Sequence, residues 1–261
     1  MEKKPKETNG ISIDRLTIVV FLLAVTNISI EFFARRALPE NMLSPILNAT
    51  QIILFFLLPL GIILKSFPRA VIVISLFLLA VFVLHNSYFI IPAFWPVFGA
   101  IFYYHRQSSG KFGFSPKKLL SNITLGIFVA TIVVSHMLAT FYLASFTFPP
   151  IVWSNLWVKI LPEIAFGVLG MEIFFRGMLF LRLRQKNNFS FLVATIISTT
   201  FYLLPFLTNP VYFASRGLLA SAIYYVVFEG FVFCYLAERT KSLIPSTVAS
   251  AIVLVFVNIL L

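Results

Sequence analysis

Acids are scarce in this chain. Nine aspartates and glutamates stand against twenty lysines and arginines, and charged residues make up only 11% of the 261 residues. With 60% hydrophobic residues and a mean hydropathy of +0.98, so little charge excludes a soluble globular domain, which could not hide that much apolar surface. A single cysteine, Cys234, excludes an intrachain disulfide framework. The only histidines are His85, His105 and His136, so none lies anywhere from 137 to 261. No metal-ligand spacing, phosphate loop or Ser/Cys nucleophile motif stands out either, and no cofactor or metal is expected.

What the chain has in abundance is long apolar runs. They fall at roughly 16–34, 45–64, 70–84, 87–104, 119–146, 158–183, 190–208, 216–237 and 243–261. The fold class this predicts is all-α: a polytopic membrane protein of about eight to nine transmembrane helices. The third and fourth runs are together too long for one span of ~20 residues, and His85-Asn86-Ser87 is the natural break between them. The net charge of +11 invites a nucleic-acid partner, but the bases sit between apolar runs rather than in one patch. With nine helices, fifteen bases gather on one side and only Arg35, Arg36, Lys159 and Arg216 on the other. That asymmetry predicts a cytoplasmic N-terminus in the cell membrane, lipid as the first partner, and no nucleic acid.

No soluble domain is visible. A polar N-terminal tail, 1–15, precedes a transmembrane half, 16–150, and a second transmembrane half, 151–261. Gly110 to Leu120 reads as an amphipathic lead-in to the fifth helix, with Ser115 and Pro116 as its N-cap and first helical residue. The phenylalanines read as lipid-facing bulk.

Polar residues inside apolar runs are the candidates for function, because a charge at membrane depth costs at least ~2.5–3.5 kcal/mol and normally pairs. Glu172 and Arg176 are four apart, sharing a helix face with the acid first, the favourable order. Glu229 has no base within four residues, so it is expected to meet Arg176 from a neighbouring helix or to serve as a ligand or proton-relay group. His136, beside Ser135, reads either as a helix–helix hydrogen bond or as a group for metal or acid–base work. Lys159 and Glu163 read as an interfacial pair near Trp153 and Trp157. Asn27, Asn48 and Gln51 fit interhelical hydrogen bonding. Pro205 fits a tolerated kink, and His85 with Asn86 fits an outer turn.

The run Met171-Glu172-Ile173-Phe174-Phe175-Arg176-Gly177 resembles the first signature, Glu-Glu-x-x-Phe-Arg-Gly, of the CAAX-protease and bacteriocin-processing (CPBP) family of glutamic intramembrane endopeptidases. The second signature, Phe-x-x-x-His, aligns with Phe201 and Pro205. The third follows a phrase like Glu-Arg-Thr-Gly-Ser-Leu-x-Pro, present here as Glu238-Arg239-Thr240-Lys241-Ser242-Leu243-Ile244-Pro245. The family's histidine and asparagine beyond it fall on Ser250 and Leu254. The resemblance implies a CPBP-like helical bundle over 151–261, in which a glutamate and a histidine would activate water while a second histidine and an asparagine hold the oxyanion. Here those positions read Met171, Pro205, Ser250 and Leu254.

Three readings follow from the resemblance and the buried charges. The first is a catalytically inactive scaffold that binds a membrane-bound peptide, prenylated or leader, or a partner membrane protein. The second is an endopeptidase rebuilt around Glu172, Glu229 and His136. The third, weaker, is a transporter.

Overall fold

The computed structural model describes residues 13–83, 99–101, 103–105, 107, 110–114, 118–143, 160, 163–208 and 216–260. Among the described residues the chain is built of helices, with no strand. We label the main ones α1 (Arg15–Ala37), α2 (Glu40–Ile63), α3 (Phe67–Val83), α4 (Leu119–Leu143), α5 (163–185), α6 (Phe191–Thr208), α7 (Arg216–Thr240) and α8 (Ile244–Leu260). Most of the expected fourth span (87–98 and 102), its His85-Asn86-Ser87 break and the choice between eight and nine helices lie outside the described residues; 99–101, 103 and 104 are helical. So do Ser115, Pro116, Trp153, Trp157, Lys159 and the side chain of Glu163.

α1, α4 and the Leu219–Thr240 part of α7 are long and apolar enough to cross a membrane. α2, α3, α6 and α8 carry shorter apolar stretches. The chain is thus an all-α integral membrane protein. α1 starts at Asp14, whose carboxylate accepts from the Thr17 backbone N–H at 3.3 Å, satisfying one of the free donors of the first turn.

α5 is the centre of the bundle and touches α1, α2, α6, α7 and α8. Every residue from Glu172 to Phe180 is buried, the pattern of a helix enclosed on all sides. Its winding is unusual. Two π-helical stretches, Glu163–Val168 and Glu172–Phe180, are separated by a short α-helical turn, Leu169–Met171, and followed by another, Leu181–Gln185. The Leu181 N–H, for instance, bonds back to the Arg176 carbonyl, five residues away. Such winding is rare and recurs at functional sites.

The phenylalanine expectation needs correcting. Phe32, Phe33, Phe67 and Phe128 are exposed as expected, but Phe55, Phe56, Phe77, Phe174, Phe175, Phe180 and Phe233 are among the largest fully buried side chains. Phe55 packs against Phe174 and Phe175 at centroid distances of 4.6 and 5.5 Å. Between membrane helices there is little hydrophobic drive, so this close ring packing carries much of the cohesion.

Two glycines permit the closest backbone approaches near the site. A Cβ on Gly126 of α4 would lie 2.6 Å from the Pro245 carbonyl oxygen of α8. A Cβ on Gly177 would lie 2.9 Å from the Phe112 carbonyl oxygen. Gly177 therefore lets the lead-in to α4, a 3-10 turn at Gly110–Phe112, press against the base of α5. The same turn is clamped to α8 by a 2.8 Å bond from the Leu243 N–H to the Gly113 carbonyl. The two halves of the sequence share one core.

Candidate functional site

The site is a buried polar island where α5, α6, α7 and α8 meet. Glu172 and Arg176 pair at 3.4 Å, with side-chain exposures of only 2% and 1%. Ser250 of α8 donates to the same carboxylate oxygen, Oε1, at 3.3 Å. The guanidinium stacks over the Tyr202 ring of α6, 4.0 Å from its centroid, and lies 5.8 Å from that of Phe233 on α7. A cation on an aromatic face gains ~2 kcal/mol or more when both are desolvated. Among the described residues, none of the Arg176 nitrogens is in hydrogen-bonding geometry with an acceptor, and Glu172 Oε2 has no donor.

Glu229 on α7 lies within electrostatic reach of both Arg176 and Glu172, without an ion pair of its own among the described residues. His136 is elsewhere. It stands exposed on α4, its Nδ1 3.0 Å from the Tyr225 hydroxyl of α7, and its ring stacks with Tyr224 at 5.7 Å. It makes no described contact with Glu172 or Arg176, so it behaves as the helix–helix bond and not as part of this island. Pro205 is buried inside α6. Met171 and Leu254 are half-buried on α5 and α8.

Sequence reasoning passed over several polar groups. Thr195 and Thr199 of α6 are buried and bring unpaired hydroxyls among the described residues, and Ser198 donates to the Phe175 carbonyl at 2.8 Å. Their signal was available as hydroxyls recurring at helical spacing along one face of α6. A second island was also passed over, although Glu31 and Arg35 repeat the Glu-x-x-x-Arg spacing. Glu31 Oε1 accepts from Asn27 at 3.3 Å and from Gln51 of α2 at 3.2 Å, and Arg35 stands 3.6 Å from Oε2. Gln51 thus makes the interhelical bond expected of it, Asn27 bonds within α1, and the Asn48 side chain lies outside the described residues.

Residues 153–256 match the family model for type II CAAX prenyl endopeptidase, Rce1-like. Over that segment, about two fifths of the chain, the sequence is similar to the CAAX prenyl endopeptidases. No curated protein and no solved structure matches the chain.

The residues of the third phrase hold helix ends together. Glu238 of the third phrase accepts both of its oxygens' bonds from Arg184 Nε at 3.1 Å, locking the end of α7 to the end of α5. Ser242 caps α8 through the Ile244 N–H at 3.2 Å. Lys241, standing where the family phrase has glycine, sits at φ +54°, a left-handed conformation that costs a side-chain-bearing residue ~1–2 kcal/mol. The frame residues hold helices in register, and that register brings Ser250 onto Glu172.

Proposed function

We propose that the protein is a proteolytically silent homologue of the CAAX endopeptidases, seated in the cell membrane with its N-terminus cytoplasmic. In this reading it binds a membrane-bound peptide, prenylated or leader, or a partner membrane protein, without cutting it. One observation carries the reading. The carboxylate nearest the family position, Glu172, is engaged by Arg176 and by Ser250, and the other family positions hold Met171, Pro205 and Leu254. Hydrolysis needs a base to take the proton of water and donors to hold the oxyanion. Methionine, proline and leucine side chains supply neither, and the one serine is already committed to Glu172. What the island keeps is a buried guanidinium with donors to spare, suited to a peptide carbonyl or carboxylate.

The rebuilt endopeptidase is favoured by one feature, the approach of a second acid, Glu229, to Arg176. The two readings separate in one experiment. The full chain in lipid bilayers is incubated with a prenylated C-terminal peptide and with a leader peptide, and both cleavage and retention are followed by mass spectrometry. Retention without cleavage is expected. Cleavage by the parent that disappears in well-folded Glu172→Gln protein installs the enzyme instead.

A further inference from the structure

A separate cavity of about 420 Å³ opens at the base-rich end of the bundle. Its apolar wall is Leu16 from the first turn of α1, Ile62 from the last turn of α2, Phe112 from the 3-10 turn, and Met178 and Leu181 from α5. Its polar rim is Arg182, Gln185 and Lys186. The cavity therefore lies where three helices reach their ends, which in a membrane protein is the boundary between hydrocarbon and headgroups. Arg15 and Lys65, both exposed, flank it in sequence beside Leu16 and beyond Ile62.

We propose that this cavity binds the phosphate headgroup of an anionic phospholipid. The shape and chemistry fit an amphiphile. A volume of this size takes a phosphodiester and the first carbons below it, while the remaining chain runs out along the membrane-facing surface. The cations on the rim meet the phosphate, and Gln185 offers a neutral donor to glycerol or phosphate oxygens. Basic pockets at the ends of transmembrane helices recognise anionic headgroups in this way. The α5 C-terminus alone would repel an anion, and Lys186 at its C-cap, beside Arg182 in its last turn, opposes that repulsion. Arg182 also pairs with Asp14 of the α1 cap, so it is held at the rim rather than free to swing into bulk water. Met178 and Gly177 connect the cavity to the polar island, since they follow Arg176 directly on α5.

The test uses the full chain in a mild detergent, titrated separately with phosphatidylglycerol, phosphatidylcholine and inorganic phosphate. Native mass spectrometry reads lipid retention and thermal melting reads stabilisation. Phosphatidylglycerol is expected to be retained and to raise the melting temperature, with phosphatidylcholine doing neither. Lys186→Gln, a change at an exposed position, is expected to weaken phosphatidylglycerol about fivefold, the factor for ~1 kcal/mol per surface base. Gln185→Trp, which fills the mouth, is expected to abolish retention while leaving melting without lipid unchanged. Equal retention of both lipids, or undiminished phosphatidylglycerol binding in both folded variants, overturns the proposal. Displacement of the lipid by millimolar inorganic phosphate also overturns it, by assigning the cavity to the free anion.

Discussion

Two glutamate–arginine pairs of the same spacing lie in this bundle, and their surroundings differ. On α1, Glu31 is held by two side-chain amides as well as by Arg35, and the Arg35 side chain keeps 20% exposure. On α5, Glu172 has a single hydroxyl partner, and Arg176 is 1% exposed with no acceptor in good geometry among the described residues. Burying an ion costs several kcal/mol even after relaxation, and attraction offsets that only when hydrogen bonds satisfy the remaining donors and acceptors. The α1 pair meets that condition at its acid, although Arg35 Nε has no partner among the described residues, and it reads as a pin between α1 and α2. The α5 pair does not, and the surplus is concentrated on the π-wound stretch around which the other helices pack. Identical spacing in sequence thus yields a well-held acid at one place and an underused charge at another.

Breaking the α5 pair should have the largest effect. Glu172→Gln leaves a fully buried guanidinium with only an aromatic face, and a loss of ~3–5 kcal/mol is expected, the range for breaking a buried pair from one side. Replacing both charges, Glu172→Gln with Arg176→Met, should recover much of it, because methionine keeps apolar contact with Tyr202 and leaves no bare ion. Thermal melting in detergent, with intact-protein yield as a control, reads both. Single variants that melt like the parent would mean that the pair is hydrated rather than buried.

The α1 pair should yield less. In Glu31→Gln the amide oxygen still accepts from Asn27 or Gln51, and Arg35 can turn toward the headgroups. A loss of about 1 kcal/mol is expected, the net worth of an ordinary hydrogen bond. If Glu31→Gln costs as much as Glu172→Gln, the contrast between the two pairs disappears and exposure of the arginine is not what separates them.

What was legible in the sequence divides along physical lines. The eight main helices among the described residues, the integral membrane class and the Glu172–Arg176 pair follow from apolar run length and i,i+4 geometry, which are local. The family register was legible as well, because Glu238, Ser242 and Pro245 mark a turn whose position fixes where Ser250 stands. The π winding was not. On that stretch Phe174, Phe175 and Phe180 pack against Phe55, Tyr202 and Phe191, contacts between elements that no local pattern encodes. The phenylalanines misled for a related reason: in a bundle, the same ring faces lipid or core according to helix orientation. The link of Asp14 to Arg182 spans 168 residues and left no local trace at all.

That link supplies the smallest effect, and it tests the base-rich end against both buried pairs. Asp14 accepts from Arg182 Nε at 3.2 Å and forms an ion pair with its Nη2. Its own backbone N–H reaches Asn187 Oδ1 at 3.4 Å, while Asn187 donates to Thr17 at 2.8 Å. The Arg182 hydrogen bond, foremost, holds the Asp14 carboxyl down from 3.8 to about 2, with Thr17 assisting and partial burial opposing. The depressed value means that the folded state favours the ionised form. The contribution is therefore fully present above pH 3.8 and is lost as the pH falls toward 2. Because the Asp14 side chain is 38% exposed, solvent screens the pair and the contribution is only about 0.2–1 kcal/mol. Asp14→Asn should thus melt slightly below the parent at neutral pH, and the gap should close as the pH is taken from 5 down to 2.5. High salt should narrow the same gap at neutral pH, whereas the cost of Glu172→Gln should hardly respond. A gap that stays constant through acid and salt would mean that Asp14 acts only as a neutral cap of α1, and the clamp to Arg182 would carry no stability.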